Sequence, residues 1–118
     1  MCMNLSKEDL IRINNGFGGN VINDASLDFA FLMQENKKLG KYKKLAYLMR
    51  AILVDHPFSD GNKRTASFVV FAFAEENKKQ VNNEALTYQI VSIAKHNIIE
   101  IRNIENRLKT ILKWTKKK

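Results

Sequence analysis

Cysteine is almost missing from this chain. The single one, Cys2, stands near the start of 118 residues, so no internal disulfide can form and no cysteine-based metal site can be built. Histidine is as scarce, with His56 and His96 alone, which leaves structural zinc without a ligand set. Long apolar runs are absent too. The longest, Phe68 to Ala74, falls far short of a bilayer crossing, so no membrane association is expected. The opening "MCMNLSKEDL" lacks the apolar core of a signal peptide, and a cytoplasmic protein is therefore expected. No internal repeat or low-complexity tract interrupts the sequence, and the phosphate-loop spacing G-x-x-x-x-G-K-[ST] does not occur.

What is present is a folded-protein composition, 45% apolar, in a length that suits one domain spanning residues 1–118. The formal net charge is +8. Lys37, Lys38, Lys41, Lys43 and Lys44 crowd one segment, and Lys116, Lys117 and Lys118 close the chain. Such a face attracts nucleic acid, nucleotide phosphates or an acidic protein, or is simply a solvated surface. Apart from Trp114 the tail interleaves no aromatic platforms for stacking bases, and nucleic acid is not the expected partner.

The periodicity is helical nearly throughout. Ser6-Lys7-Glu8-Asp9 reads as a capping box opening a short helix through Ile13. "NNGFGGNVIND" then breaks the pattern with glycines and asparagines that favour turns. A second helix is predicted from about Asp24 to Asn36. Leu45, Leu48, Met49, Ile52 and Leu53 form one apolar stripe on a third helix ending near Asp55. Two more stripes follow, Leu86, Ile90, Ile93 and Ala94 after Asn82-Asn83, then Ile101, Ile104, Leu108, Ile111 and Leu112. Between them, Phe68 to Phe73 is apolar on every side, the pattern of a buried central helix. The alternative is a hairpin turned at Asp60-Gly61, with "MRAILV" and "SFVVFAF" as its arms. The helical spacing of the first arm favours an all-α, compact bundle of about six helices around a buried central helix, with no assigned strand.

The chemistry is concentrated in "HPFSDGNKR", His56 to Arg64, directly ahead of that apolar helix. A helix amino end leaves backbone N–H groups unbonded and carries positive partial charge, so it suits a phosphate. Gly61 lets a ligand approach the backbone, and Asn62, Lys63 and Arg64 add donors. Asp60 is the one carboxylate and, beside phosphates, suits Mg²⁺. His56 is placed to take a proton from a hydroxyl nucleophile. Simpler roles exist for each: Pro57 and Phe58 as loop shape and core anchor, Asp60 as a helix cap, Lys63 and Arg64 as exposed cations. It is the joint spacing of the polar positions that argues for a phosphate-transfer site.

That spacing resembles the signature of the Fic/Doc, or Fido, superfamily, His-x-Phe-x-Asp/Glu-Gly/Ala-Asn-x-Arg, with every fixed position filled. The "GFGGN" segment, the helix into the motif, "GNKRTA" and the compact length most resemble the death-on-curing (Doc) toxin branch. The resemblance implies an ATP-dependent enzyme in which His56 is the general base on a Ser, Thr or Tyr hydroxyl of a target protein. Phe58 would anchor the loop, Asp60 would bind Mg²⁺, and Asn62 and Arg64 would join His56 in catalysis. Gly61, Asn62, Lys63 and Arg64 would hold the nucleotide. Phe17 to Asn23 resembles the family's extended flap, whose Gly18, Gly19, Asn20, Val21 and Ile22 would bind the target's backbone; as plain sequence it is equally a glycine-rich connection. Lys63 stands where adenylylating members carry glycine, and Ser67 where they carry a second arginine. Both departures resemble Doc, and imply transfer of the γ-phosphate rather than AMP. The family's inhibitory motif, Ser/Thr-x-x-x-Glu-Gly/Asn, is absent: Glu35, Glu76 and Glu105 are preceded four residues earlier by Phe31, Ala72 and Ile101. Control would then fall to an antitoxin supplied in trans. The rival readings are AMP transfer to a protein hydroxyl and a non-enzymatic basic module binding nucleic acid or an acidic partner.

Overall fold

The computed structural model describes residues 5–114, with only the backbone of Trp114. Cys2 and the lysines at 116–118 lie outside the described residues. Six helices form: α1 (Lys7–Gly16), α2 (Ala25–Gln34), α3 (Lys41–Leu53), α4 (Asn62–Glu76), α5 (Asn83–Lys95) and α6 (Ile101–Ile111). The expected all-α bundle is borne out. Helix α1 starts where the capping box predicts, with the Ser6 hydroxyl accepting from the Asp9 N–H and the Asp9 carboxylate from the Ser6 N–H, both at 3.1 Å. It runs one turn beyond Ile13, to Gly16.

The α3 stripe is buried as its spacing requires, and α3 packs against α2, α4, α5 and α6. It is the central helix. Helix α4, expected to be buried all round, is not: Val69, Val70, Phe73 and Ala74 face the core, while Phe68 and Phe71 are 43% and 46% exposed. A bundle this small covers one broad face of α4, through α1, α3 and α5, and leaves the rest to solvent.

Two short strands were not expected. β1 (Lys79–Val81) pairs antiparallel with β2 (Leu112–Trp114), so the end of α6 is tied back to the end of α4. Each is three residues long, too short to show alternation in a sequence dominated by helical stripes. No helix among the described residues is long and apolar enough to cross a membrane.

Two features position the site. Lys7 bridges Asp24 and Asp28 at 2.8 and 2.6 Å, which joins the start of α1 to the start of α2, where the segment between them ends. The two carboxylates raise the Lys7 pKa well above the usual lysine value. The buried Phe58, 1% exposed, anchors the α3–α4 loop to the core.

Candidate active site

The loop from His56 to Gly61 is shaped by a side chain that bonds its backbone. Asn62 clamps Phe58, donating its amide nitrogen to the Phe58 carbonyl at 2.9 Å and accepting the Phe58 N–H at 3.3 Å. The Asn62 side chain is thereby engaged by the loop, and what it offers a ligand is its backbone N–H. Upstream, His56 lies exposed with φ of 49°, the left-handed region that a residue bearing a Cβ seldom adopts.

Gly61 also adopts the left-handed conformation, φ 73°, and serves as the N-cap of α4 without any side-chain cap. This is one position where glycine is required, since a Cβ there would be strained and would meet Phe17 Cβ at 3.1 Å. The result is an open helix start. Lys63 and Arg64 occupy its first turn, both exposed, with no acidic residue beside them in that turn. Asp60 accepts the Gly61 N–H at 2.8 Å through Oδ1. Among the described residues its other oxygen accepts no hydrogen bond. One turn further on, Ser67 donates its hydroxyl to the Lys63 carbonyl at 3.0 Å, so the helix turns no second cation toward the loop from this position.

The Phe17–Asn23 segment lies against this loop. Ser59 N–H donates to Asn20 O at 2.8 Å, Ile22 N–H to Pro57 O at 2.8 Å and Asn20 N–H to Ser59 Oγ at 3.0 Å, around a single antiparallel bridge between Val21 and Phe58. Alternate residues of an extended chain point their polar groups to opposite edges. Because Asn20 and Ile22 bond the loop, the N–H and C=O of Val21 face the other way. Ile22 is 67% exposed.

Between the loop and the start of α4 lies a cleft of about 390 Å³, lined by His56, Asp60, Gly61, Asn62, Lys63 and Arg64 together with Phe17 and Ser59. All the polar residues singled out from the motif therefore converge. A larger, shallower depression runs along α5 past Tyr88 and Val91, but it contains none of them. His96 is the exposed C-cap of α5, a helix-end residue.

Two contributors went unread in the sequence, and a third was read in another role. Ser59 bonds the Phe17–Asn23 segment, and Asn14, buried at the end of α1, donates to the Asp60 carbonyl, while Phe17, read only as the start of that segment, walls the cleft. Asn14 belongs to a run of asparagines and glycines whose only sequence signal is a turn, and nothing there marks one amide as buried.

A Fic/DOC family model matches residues 5–74. The chain belongs to the Fic/DOC family. The match covers more than half its length, from the residue before the capping box almost to the end of α4, and so contains the whole cleft. No curated protein and no solved structure matches the chain. At the level of the family, this is an ATP-using transferase acting on proteins, typically with Mg²⁺. The donor set suits that ion: one carboxylate beside an open helix start, where nucleotide phosphates would supply further oxygens.

Proposed function

We propose that this protein transfers the γ-phosphoryl group of ATP to a Ser, Thr or Tyr hydroxyl of a target protein, as a Doc-like toxin restrained by an antitoxin in trans. Residues 1–118 act as a single Fido domain of the cytoplasm. The observation that supports this most directly is the distribution of positive charge at the cleft. Lys63 and Arg64 stand at the uncapped start of α4, and Ser67, one turn later, turns back on the helix. A nucleotide is drawn to the mouth of the helix, where the lysine fills the space that glycine would leave open. Entry in the reversed orientation presents the terminal phosphate to His56.

In this reading His56 takes the proton from the target hydroxyl as its oxygen bonds to the γ-phosphorus, and the bond from that phosphorus to the bridging oxygen breaks to release ADP. Lys63, Arg64 and the first backbone N–H groups of α4, those of Asn62, Lys63 and Arg64, hold the charge that develops on the phosphate oxygens. Gly61 keeps the backbone accessible. Asp60 would hold Mg²⁺, which neutralises phosphate charge when bound. The free edge at Val21 aligns the target by main-chain hydrogen bonds, with Gly18, Gly19, Asn20 and Ile22 completing the flap.

The test is intact-mass spectrometry of proteins modified in a lysate supplied with ATP, using the parent chain and His56→Ala. A phosphate-sized increment that requires His56 supports the proposal. An AMP-sized increment replaces it with adenylyl transfer, and salt-sensitive nucleic-acid binding without any increment replaces it with a binding module.

A further inference from the structure

Asn14 is 0% exposed and meets three parts of the site at once. Its amide nitrogen donates to the Asp60 carbonyl at 2.8 Å and to Thr65 Oγ at 3.1 Å, so a single group from α1 spans Gly61 and holds the chain on both sides of it. Its amide oxygen accepts no hydrogen bond, an unfavourable state for a buried polar atom. Gly19 of the flap packs directly over this amide: a Cβ there would collide with Asn14 Oδ1 and with the Asp60 carbonyl. A Cβ on Gly61 would lie 3.2 Å from the amide nitrogen.

We propose that Asn14 is a positioning residue for Asp60, acting through the Asp60–Gly61 peptide. The inference rests on the reading of Asp60 as the residue that meets a nucleotide-bound cation. Asp60 is tied forward to Gly61, whose own carbonyl accepts the Thr65 N–H at 2.9 Å in the first turn of α4, but among the described residues no helix bond reaches the Asp60 carbonyl. The Asn14 bond is what remains to fix that peptide from outside the loop. Lys63 and Arg64 need no such help, because the helix itself holds them. Loss of the Asn14 amide therefore acts on the metal-dependent part of nucleotide binding and spares the part due to the cations. The contact with Gly19 places the flap on the same amide, so flap and carboxylate are held in one register.

Calorimetric titration of the full chain with ATP, in Mg²⁺ and in EDTA, tests this together with amide hydrogen exchange. Asn14→Leu keeps similar bulk and removes the donor. It should weaken ATP binding in Mg²⁺ by about tenfold, the effect of one well-placed hydrogen bond, and leave binding in EDTA within about twofold. Exchange at the Gly61 and Ser59 amides should rise by about tenfold, with α3 and α6 unchanged. Equal weakening with and without Mg²⁺, or unchanged exchange at Gly61, overturns the proposal. Should the parent bind ATP no better with Mg²⁺, the functional reading fails, and the exchange result, which needs no nucleotide, decides the role of Asn14 alone. If Asn14→Leu does not fold, Thr65→Val takes its place: it removes one of the two acceptors and should raise Gly61 exchange about threefold. No rise in Thr65→Val overturns the proposal equally.

Discussion

Helices α1 and α4 begin in opposite ways. The start of α1 is closed: Ser6 and Asp9 exchange hydrogen bonds, Glu8 and Asp9 face the positive end of the helix dipole, and Arg12 adds a contact to Asp9 at 2.9 Å. The start of α4 is open, with a left-handed glycine for a cap, no side-chain acceptor, and lysine and arginine where the dipole favours acids. By local stability alone α1 is well made and α4 poorly made. An anion reverses that judgement, since it would supply both the missing acceptor and the missing negative charge. A helix start that disregards the capping rules is thus informative about function, provided something else holds the helix in place. For α4 that is the core: Phe58 ahead of it and Val69, Val70 and Phe73 within it.

This contrast can be broken most severely at the open end. His56→Ala should lower transfer by about 10²- to 10⁴-fold while the fold persists, because the imidazole is exposed and holds no core contact. Kinetics and a thermal melt on the same preparation check both halves, and unchanged transfer would remove His56 as base. Phe58→Ala attacks the support instead of the chemistry. A ring that is 1% exposed should cost about 3–5 kcal/mol of stability, read from denaturant unfolding. Full stability in that variant would mean that the loop is anchored elsewhere.

Smaller changes sharpen the comparison. Ser6→Ala removes half of the capping box and should destabilise by about 1 kcal/mol with no effect on transfer, whereas Lys63→Gly should weaken transfer and leave the melt nearly unmoved. The closed end should also respond to acid. Hydrogen bonds from Ser6 and the Arg12 guanidinium hold the Asp9 pKa below its ordinary 3.8, so its stabilising effect is complete above that value. It disappears as pH falls through the depressed value. Asp9→Asn should therefore flatten the acid limb of a stability-against-pH curve, most visibly below pH 3.8, and an unaltered limb would show that the box carries no charge-dependent stability.

Much of this was legible in the sequence, for physical reasons that differ by region. Leu45, Leu48, Met49, Ile52 and Leu53 announced α3 because a helix packed on one side must repeat its apolar residues every third or fourth position. The motif announced the cleft because its polar residues are contiguous, and a loop followed by one helical turn brings contiguous residues together. The exposed faces of Phe68 and Phe71 were not legible, since an apolar run says nothing about how many neighbours a small bundle can provide. Nor was Asn14, whose partners Asp60 and Thr65 are far away in sequence and near only after folding. The pairing of β1 with β2 was hidden in the same way.

The left-handed backbone of His56 carries a further consequence, one of selection rather than catalysis. Holding a residue with a Cβ in this region costs on the order of 1–3 kcal/mol, and glycine or asparagine would relieve much of it. Under the proposed mechanism, stability and activity therefore draw this one position toward different residues. A lineage in which the activity became harmful, or was no longer needed, could abandon it and gain a sturdier protein through the same single substitution. His56→Gly should accordingly melt above the parent, so that the variant expected to lose transfer is the more durable of the two.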